Sequence, residues 1–305
     1  MTPKEQYAAF CKRYPGLPVM LQPWWLEAVC AGKEWEVMLV TQSELKDEHG
    51  SSRNDTDSCP TDEVVAAMPY LLRKRLWYKF IVMPQMTMFG GVWMNDDLFA
   101  SPELQERLAK VIARKLRALG VAYYYQQYPI GNPMPYWLKK RGFKVREQML
   151  HLVTPNGQTA ASTSELSAEE FYRFHSACMK EQGRNTGYAR EDLLVLERKT
   201  SRADKSCFVD VRDAKGQLQA AAFLVWDTKN LYPLQWCISG ENKDAEAVLI
   251  QQISSKAREL GVNVLSDQSM EGKQVTSYVV WKYTNLLLAP FFYFAYRSIN
   301  NPSAK

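Results

Sequence analysis

One stretch constrains this chain more than any other. From Ser206 to Met270, three apolar runs, a long helical pattern and a fourth short run follow one another. The runs are Cys207 to Val211, Leu218 to Trp226 and Leu231 to Ile238. Between them lie Asp213-Ala214-Lys215-Gly216 and Asp227-Thr228-Lys229-Asn230, whose Asp, Asn and Gly residues suit tight turns. Short apolar runs punctuated in this way read as strands. After a polar turn, Ser239 to Asp244, the residues Ala245 to Leu260 have helical spacing and stop at Gly261; Val262 to Leu265 is the last run. The order is strand, strand, strand, helix, strand.

The rest of the chain is read by the same signals. Residues 5–14 and 23–31 read as short helices, the second with an apolar face of Trp24, Trp25, Leu26 and Val29. Trp35 to Thr41 and Val64 to Leu72 read as strands, joined by a polar stretch, Ser43 to Glu63, expected to form a long exposed loop. Phe80 to Met83 and Met88 to Trp93 are strand candidates. Pro84 to Thr87 lies between them, and Gly90-Gly91, within the second run, suggests a bulge or a close approach of backbone to another segment. A helix is expected from Pro102 to Leu119 with Ser101 as its N-cap, then a strand from Val121 to Tyr128, a short helix from Tyr136 to Arg141, and a strand from Phe143 to Val153. Thr154 to Ser164 has linker composition. Ser167-Ala168-Glu169-Glu170 has capping-box form and opens a helix, with a second helix from Arg190 to Lys199. Beyond the central stretch, Gly272 to Tyr283 reads as a helix and Leu286 to Tyr296 as closing strands.

Composition excludes several classes. A chain of 305 residues with 46% hydrophobic and 23% charged residues can bury its own core. Its net charge of +5 suits an anionic cofactor and falls short of the charge density that argues for DNA binding. No run approaches the length of a membrane span, and the first residues lack the apolar core of a signal peptide, so a cytoplasmic protein is expected. Six cysteines without close pairs and three histidines give no metal site and no disulfide framework. Reduced thiols are the expectation.

The chain also repeats itself. Shifted by 141 residues, Leu108–Gln127 lies on Leu249–Gln268, pairing Leu108 with Leu249, Ile112 with Ile253, Lys115 with Lys256 and Arg117 with Arg258. Leu119-Gly120-Val121 matches Leu260-Gly261-Val262. In both halves the helix ends at a glycine and a strand follows. A duplicated fold accounts for this, with halves at residues 1–155 and 165–305.

Four places carry a resemblance. They are Trp24-Trp25-Leu26 followed by Trp35-Glu36-Val37; Met68-Pro69-Tyr70 with Pro84 and Phe89-Gly90-Gly91; Asn242 to Ala247; and Asp267-Gln268-Ser269-Met270. Together they resemble the tandem GCN5-related N-acetyltransferase (GNAT) domains of the FemAB-like and BioF2-like acyltransferases. The third place is a loose form of the family's phosphate-loop glycine motif, and the fourth lacks the glycine of its D-x-x-G-S motif. The resemblance implies an α/β (α+β) fold of two tandem GNAT-like domains, each a mixed, largely antiparallel sheet flanked by helices. It implies acyl-CoA (acetyl-CoA or longer) as co-substrate and a small-molecule or peptide-like amine acceptor bound between the domains. The alternatives are an aminoacyl-tRNA donor, as in FemAB-type transferases, and a non-catalytic scaffold. The long charged helical hairpin of some tRNA-dependent members is missing from this sequence.

On that pattern the fourth strand of the second half splays from the fifth, and the pantetheine arm lies in the gap. The pyrophosphate would then meet the start of the next helix, with Ile238, Ser239, Gly240, Asn242, Lys243 and Ala245 around the cofactor. Asp244 and Glu246 cut against this, since they stabilise a helix start and repel phosphate. Asp267 is the candidate acceptor-binding carboxylate or base. Tyr278 and Tyr283 are candidate proton donors to the leaving thiolate. Arg184, Asn185 and Tyr188 form the candidate acceptor loop, while His175 among Phe171, Tyr172 and Phe174 reads as a partly buried histidine.

Overall fold

The computed structural model describes residues 1–30, 34–46, 62–75, 77–155, 164–240, 242–268 and 270–283. The first half contains α1 (Pro3–Arg13), a single 3-10 turn (Val19–Leu21), α2 (Pro23–Val29), β1 (Trp35–Thr41), α3 (Gln42–Lys46), β2 (Val64–Arg75), β3 (Tyr78–Val82), β4 (Trp93–Met94), α4 (Asp96–Ala100), α5 (Pro102–Ala118), β5 (Val121–Tyr128), α6 (Met134–Lys140) and β6 (Lys144–Val153). The second contains α7 (Ala168–Glu181), α8 (Arg190–Arg202), β7 (Ser206–Arg212), β8 (Leu218–Trp226), β9 (Asn230–Ile238), α9 (Lys243–Glu259), β10 (Asn263–Ser266) and β11 (Lys273–Tyr283). Among the described residues no helix is long and apolar enough to cross a membrane.

The strands form one sheet, in the order β1-β2-β3-β5-β11-β6-β10-β9-β8-β7, with β4 paired to β2. Within each half, antiparallel strands lead to one parallel pair, β3 with β5 and β9 with β10. A helix, α5 or α9, makes each crossover, as a parallel connection requires. The halves then exchange strands. β11 of the second half lies between β5 and β6 of the first, and β6 lies between β11 and β10. One core carries α1, α2, α7 and α8 on a single face of the sheet, drawing Trp25, Phe10, Phe171 and Leu196 together with Phe223 and Leu265. On the other face, α5 and α6 cover the first half and α9 the second.

Caps fall where the sequence puts them. Ser101 Oγ accepts from Leu104 N–H, and Ser167 Oγ from Glu170 N–H. Three expectations need correction. Gln42–Lys46 is a helix rather than the start of a loop, closed by the Glu44 carboxylate accepting from Thr41 N–H. Of Met88 to Trp93 only Trp93 is in a strand. Lys273–Tyr283 is a strand, not a helix. Its Val275, Thr276, Val279 and Val280 are β-branched and favour the pleated state once partners stand on both sides. The loop residues 47–61, the linker residues 156–163 and the closing segment, 286–296, lie outside the described residues.

The link from β10 to β11 passes over β6. At Gly272 a Cβ would stand 2.7 Å from the Leu152 carbonyl oxygen and 2.8 Å from Val153 Cγ2, so the backbones nearly touch. Gly272→Ala should therefore lower the urea midpoint by the equivalent of about 1–3 kcal/mol. An unchanged midpoint would show that the crossing has slack.

Candidate functional site

The site arises from unequal strand lengths. β10 pairs with β9 only at Asn263↔Asn230 and Val264↔Leu231, and with β6 only from Val264↔Val153 to Ser266↔His151. It stops at Ser266, whose Oγ accepts from Gln268 N–H and turns the chain. Both neighbours continue. β9 runs on to Ile238, paired only to β8, and β6 extends back to Lys144, paired only to β11. The two strands face each other across the width of one missing strand, about 10 Å at two strand spacings. Among the described residues no strand fills this slot.

The slot is lined with backbone that pairs with no strand among the described residues. Ser239 N–H donates to the Gln219 carbonyl at 2.8 Å, which fixes the alternation along β9. Cys237 and Gln235 therefore turn their backbone groups to β8, and Trp236 and Ile238 turn theirs to the slot. Pro233 has no N–H to leave bare, and the register slips beside it, between Phe223 and Leu224. Two buried ring nitrogens flank the slot without a hydrogen-bond partner among the described residues, Trp236 Nε1 on β9 and His151 Nδ1 on β6. Buried donors and acceptors are normally paired.

The first half has the matching gap, and its own chain fills it. β3 ends at Val82 while β5 continues to Tyr128. Gly90 N–H donates to the Gln127 carbonyl at 2.8 Å, Gly91 N–H to Gln126 Oε1 at 3.1 Å, and Gln126 Nε2 back to the Val82 carbonyl at 3.3 Å. The paired glycines are required here. A Cβ on Gly90 would fall 1.9 Å from Gln126 Oε1, and Gly91, at φ +81°, meets the Tyr128 ring. The helix that follows this gap begins Ser101-Pro102-Glu103, with no N–H at proline and an acidic group beside it.

At the mouth of the open slot stands the start of α9. Asn242 caps it, its Oδ1 accepting from Ala245 N–H at 3.0 Å while its Nδ2 donates to Gln219 Oε1 at 3.3 Å. The cap thus occupies the Ala245 N–H. Lys243 and Asp244 are the first helical residues, whose N–H groups have no acceptor within a helix. Gly240 turns the chain at φ +59° with open space around it, and Ile238 and Ser239 lead into this turn. Asp267, the first residue past β10, marks the floor. Continuing the parallel register places it level with Leu234, where β9 and β10 have already separated. Its side chain reaches solvent on one side, yet the protein crowded around it raises its pKa above the ordinary carboxylate value, opposed in part by its own backbone N–H.

On the other face of the sheet, α7 and the 183–188 loop close against β9. Cys178 and Cys237 are buried together and hydrogen-bond each other. His175, stacked on Phe171, shares a 2.9 Å hydrogen bond with the Tyr188 hydroxyl through Nδ1. Tyr188 is buried, so it holds the loop in place, while Arg184 and Asn185 are exposed on it. The two candidate tyrosines are parted. Five residues apart on a strand, they point to opposite faces. Tyr283 stacks on Tyr123 at 4.7 Å, in the core beneath α1 and α2, and Tyr278 lies on the α9 face, one strand from the slot. Sequence reading missed Trp236 and His151. The signal for the slot itself was present, since the apolar run of β9 is twice the length of the run of β10.

Burial, with the charge of Arg184 adding, pushes the pKa of His175 down to about 4. From roughly pH 6.5 down to 4 the unfolded chain gains a proton that the folded chain refuses, so stability falls with pH. The wild type should lose about 3 kcal/mol across that window, an order-of-magnitude figure. His175→Gln should flatten that part of the profile in urea titrations at stepped pH. Equal slopes in both proteins would contradict the burial of a neutral imidazole.

No family model and no curated protein matches the sequence. Solved structures do match. FemX aligns over 95% of this chain and 98% of its own, with 12% identity and a TM-score of 0.56. A GNAT-family acetyltransferase from Colwellia psychrerythraea aligns over 82% of this chain and all of its own, with 11% identity and a TM-score of 0.43. Saccharomyces cerevisiae N-myristoyltransferase with bound myristoyl-CoA aligns over 74% and 65%, with 11% identity and a TM-score of 0.40. At these identities the likeness is one of fold, and of these three it is strongest for FemX. The chain has the tandem GNAT-like, FemAB-like acyltransferase fold.

Proposed function

We propose that this chain, sharing its fold with FemX, is an acyltransferase that moves an acyl group from acyl-CoA to an amine, and that the donor's pantetheine arm takes the place of the missing strand. The open slot carries this reading. Pantetheine is an extended chain bearing two amides, so it can exchange hydrogen bonds with Trp236 and Ile238 as a short strand would. The arm fits a gap one strand wide, which neither a globular ligand nor a second sheet edge does. The diphosphate then reaches the start of α9, where the N–H groups of Lys243 and Asp244 and the Lys243 ammonium favour an anion. Asp244 and Glu246 weaken that attraction. The first half, with its gap filled by Gly90-Gly91 and Gln126, serves the fold and the acceptor side.

The thioester would sit at the floor beside Asp267. There the amine nitrogen attacks the thioester carbonyl, the carbon–sulfur bond breaks, and the sulfur leaves as thiolate. A carboxylate with a raised pKa is suited to take the proton that the amine loses. Tyr278, on the α9 face one strand away, is the proposed proton source for the thiolate. The acceptor approaches past Arg184 and Asn185, on the loop that Tyr188 and His175 fix.

Acetyl-CoA, a longer acyl-CoA and CoA should each stabilise the protein, by about 2.7 kcal/mol at a hundredfold excess over the dissociation constant. The absence of any shift would rule out the donor assignment and favour a scaffold. Asp267→Asn should lower kcat by about a hundredfold or more with the acyl-CoA dissociation constant nearly unchanged. Full activity in that variant would remove Asp267 from the chemistry.

A further inference from the structure

The strand registers bring one end of five neighbouring strands together. Arg75 of β2 pairs with Tyr78 of β3, Lys79 lies level with Val121 at the start of β5, Tyr123 with Tyr283 at the end of β11, and Trp281 with Lys144 at the start of β6. The C-terminal turns of α5 and α6 meet the same end, since each helix runs directly into β5 or β6. Cations gather there. Lys79 Nζ donates to the Leu119 carbonyl at 3.0 Å, and Lys282 Nζ to the Arg141 carbonyl at 2.9 Å. Burial, with the charge of nearby Arg117 adding, lowers the pKa of Lys282. Among the described residues at this end, Lys74 pairs with Glu34 at 2.8 Å.

Apolar surface is exposed among these charges. Trp77, at the apex of the β2–β3 hairpin, is 76% exposed. Between Arg117 and Lys282 opens a hollow floored by Leu116, Val121, Tyr124 and Phe143. An indole projecting from a hairpin apex near Lys79, with Arg117 and Lys282 at the same end of the sheet, suits the headgroup layer of a bilayer, where tryptophan is favoured and each nearby cation is attracted to anionic lipid. We propose that this end of the sheet is a docking surface for an anionic lipid bilayer. Nucleic acid would use the same cations, but it has no apolar chain to place in a greasy hollow under two of them. The surface also has a position. β9 and β10 run antiparallel to β6, so the slot opens toward the end where β6 begins. Docking sets the mouth of the slot at the membrane face, and it stands or falls apart from the acyl-transfer reading.

Vesicle sedimentation tests this, with phosphatidylcholine alone and with phosphatidylcholine containing roughly a third phosphatidylglycerol. The full chain should pellet with the mixed vesicles, remain free with the neutral ones, and be released by about 0.5 M salt. Trp77→Ala and Arg117→Gln should each lower partitioning about fivefold or more. Both alter exposed side chains, and circular dichroism confirms that they remain folded. Equal pelleting with both vesicle types, or undiminished pelleting of the variants, would overturn the proposal. So would the absence of vesicle binding alongside salt-sensitive binding of tRNA, which would make this a nucleic-acid surface.

Discussion

The structure depends on where β10 stops. Its four residues are held between two longer strands, and at Ser266 the chain leaves the sheet and crosses β6 to begin β11. Two things force that exit. The Ser266 hydroxyl takes the Gln268 N–H that would otherwise extend the strand, and Gly272 lets the crossing chain lie directly on the Leu152 backbone. Everything functional follows from this early stop. It leaves the inner edges of β6 and β9 bare in the middle of a sheet, where bare edges are costly unless something pairs with them.

The contrast between the halves is a contrast in side chains filling a shared gap. Duplication supplies a parallel pair and a crossover helix twice. In the first half a carboxamide, Gln126, and two glycines close the gap with short hydrogen bonds. In the second, Trp236 and Ile238 pair with no strand on that side among the described residues, next to a helix start whose cap, Asn242, already uses one N–H. One fold therefore gives one closed gap and, among the described residues, one open one. Strand exchange adds rigidity. Because β6 and β11 each belong to the opposite half's ladder, the walls of the slot come from both halves and the halves cannot hinge independently without breaking the sheet.

Much of this was legible in the sequence, and the reasons differ by element. The second-half strands show because turn residues punctuate apolar runs, as at Asp213 to Gly216. α5 and α9 show through their apolar stripes and the glycines that end them. The unequal lengths of Leu231 to Ile238 and Val262 to Leu265 already contained the slot. β11 misled because Val275, Val279 and Tyr283 recur at helical intervals, although the β-branched content argued for a strand. That misreading placed Tyr278 and Tyr283 on one helix, when the strand sends them to opposite faces of the sheet. The exchange of β6 and β11 had no local signal, since pairing across such separations is decided by the whole sheet. Trp236 and His151 look like ordinary core residues in sequence, and only the missing partners of their ring nitrogens mark them out.

Hydrogen exchange at the Trp236 and Ile238 amides, with and without acetyl-CoA, tests the open slot most directly. Both amides should exchange quickly in the free protein, faster than Cys237 between them, and become protected when acetyl-CoA is added. Protection already present in the free protein, or exchange unmoved by saturating acetyl-CoA, would contradict an unfilled strand position that the donor completes.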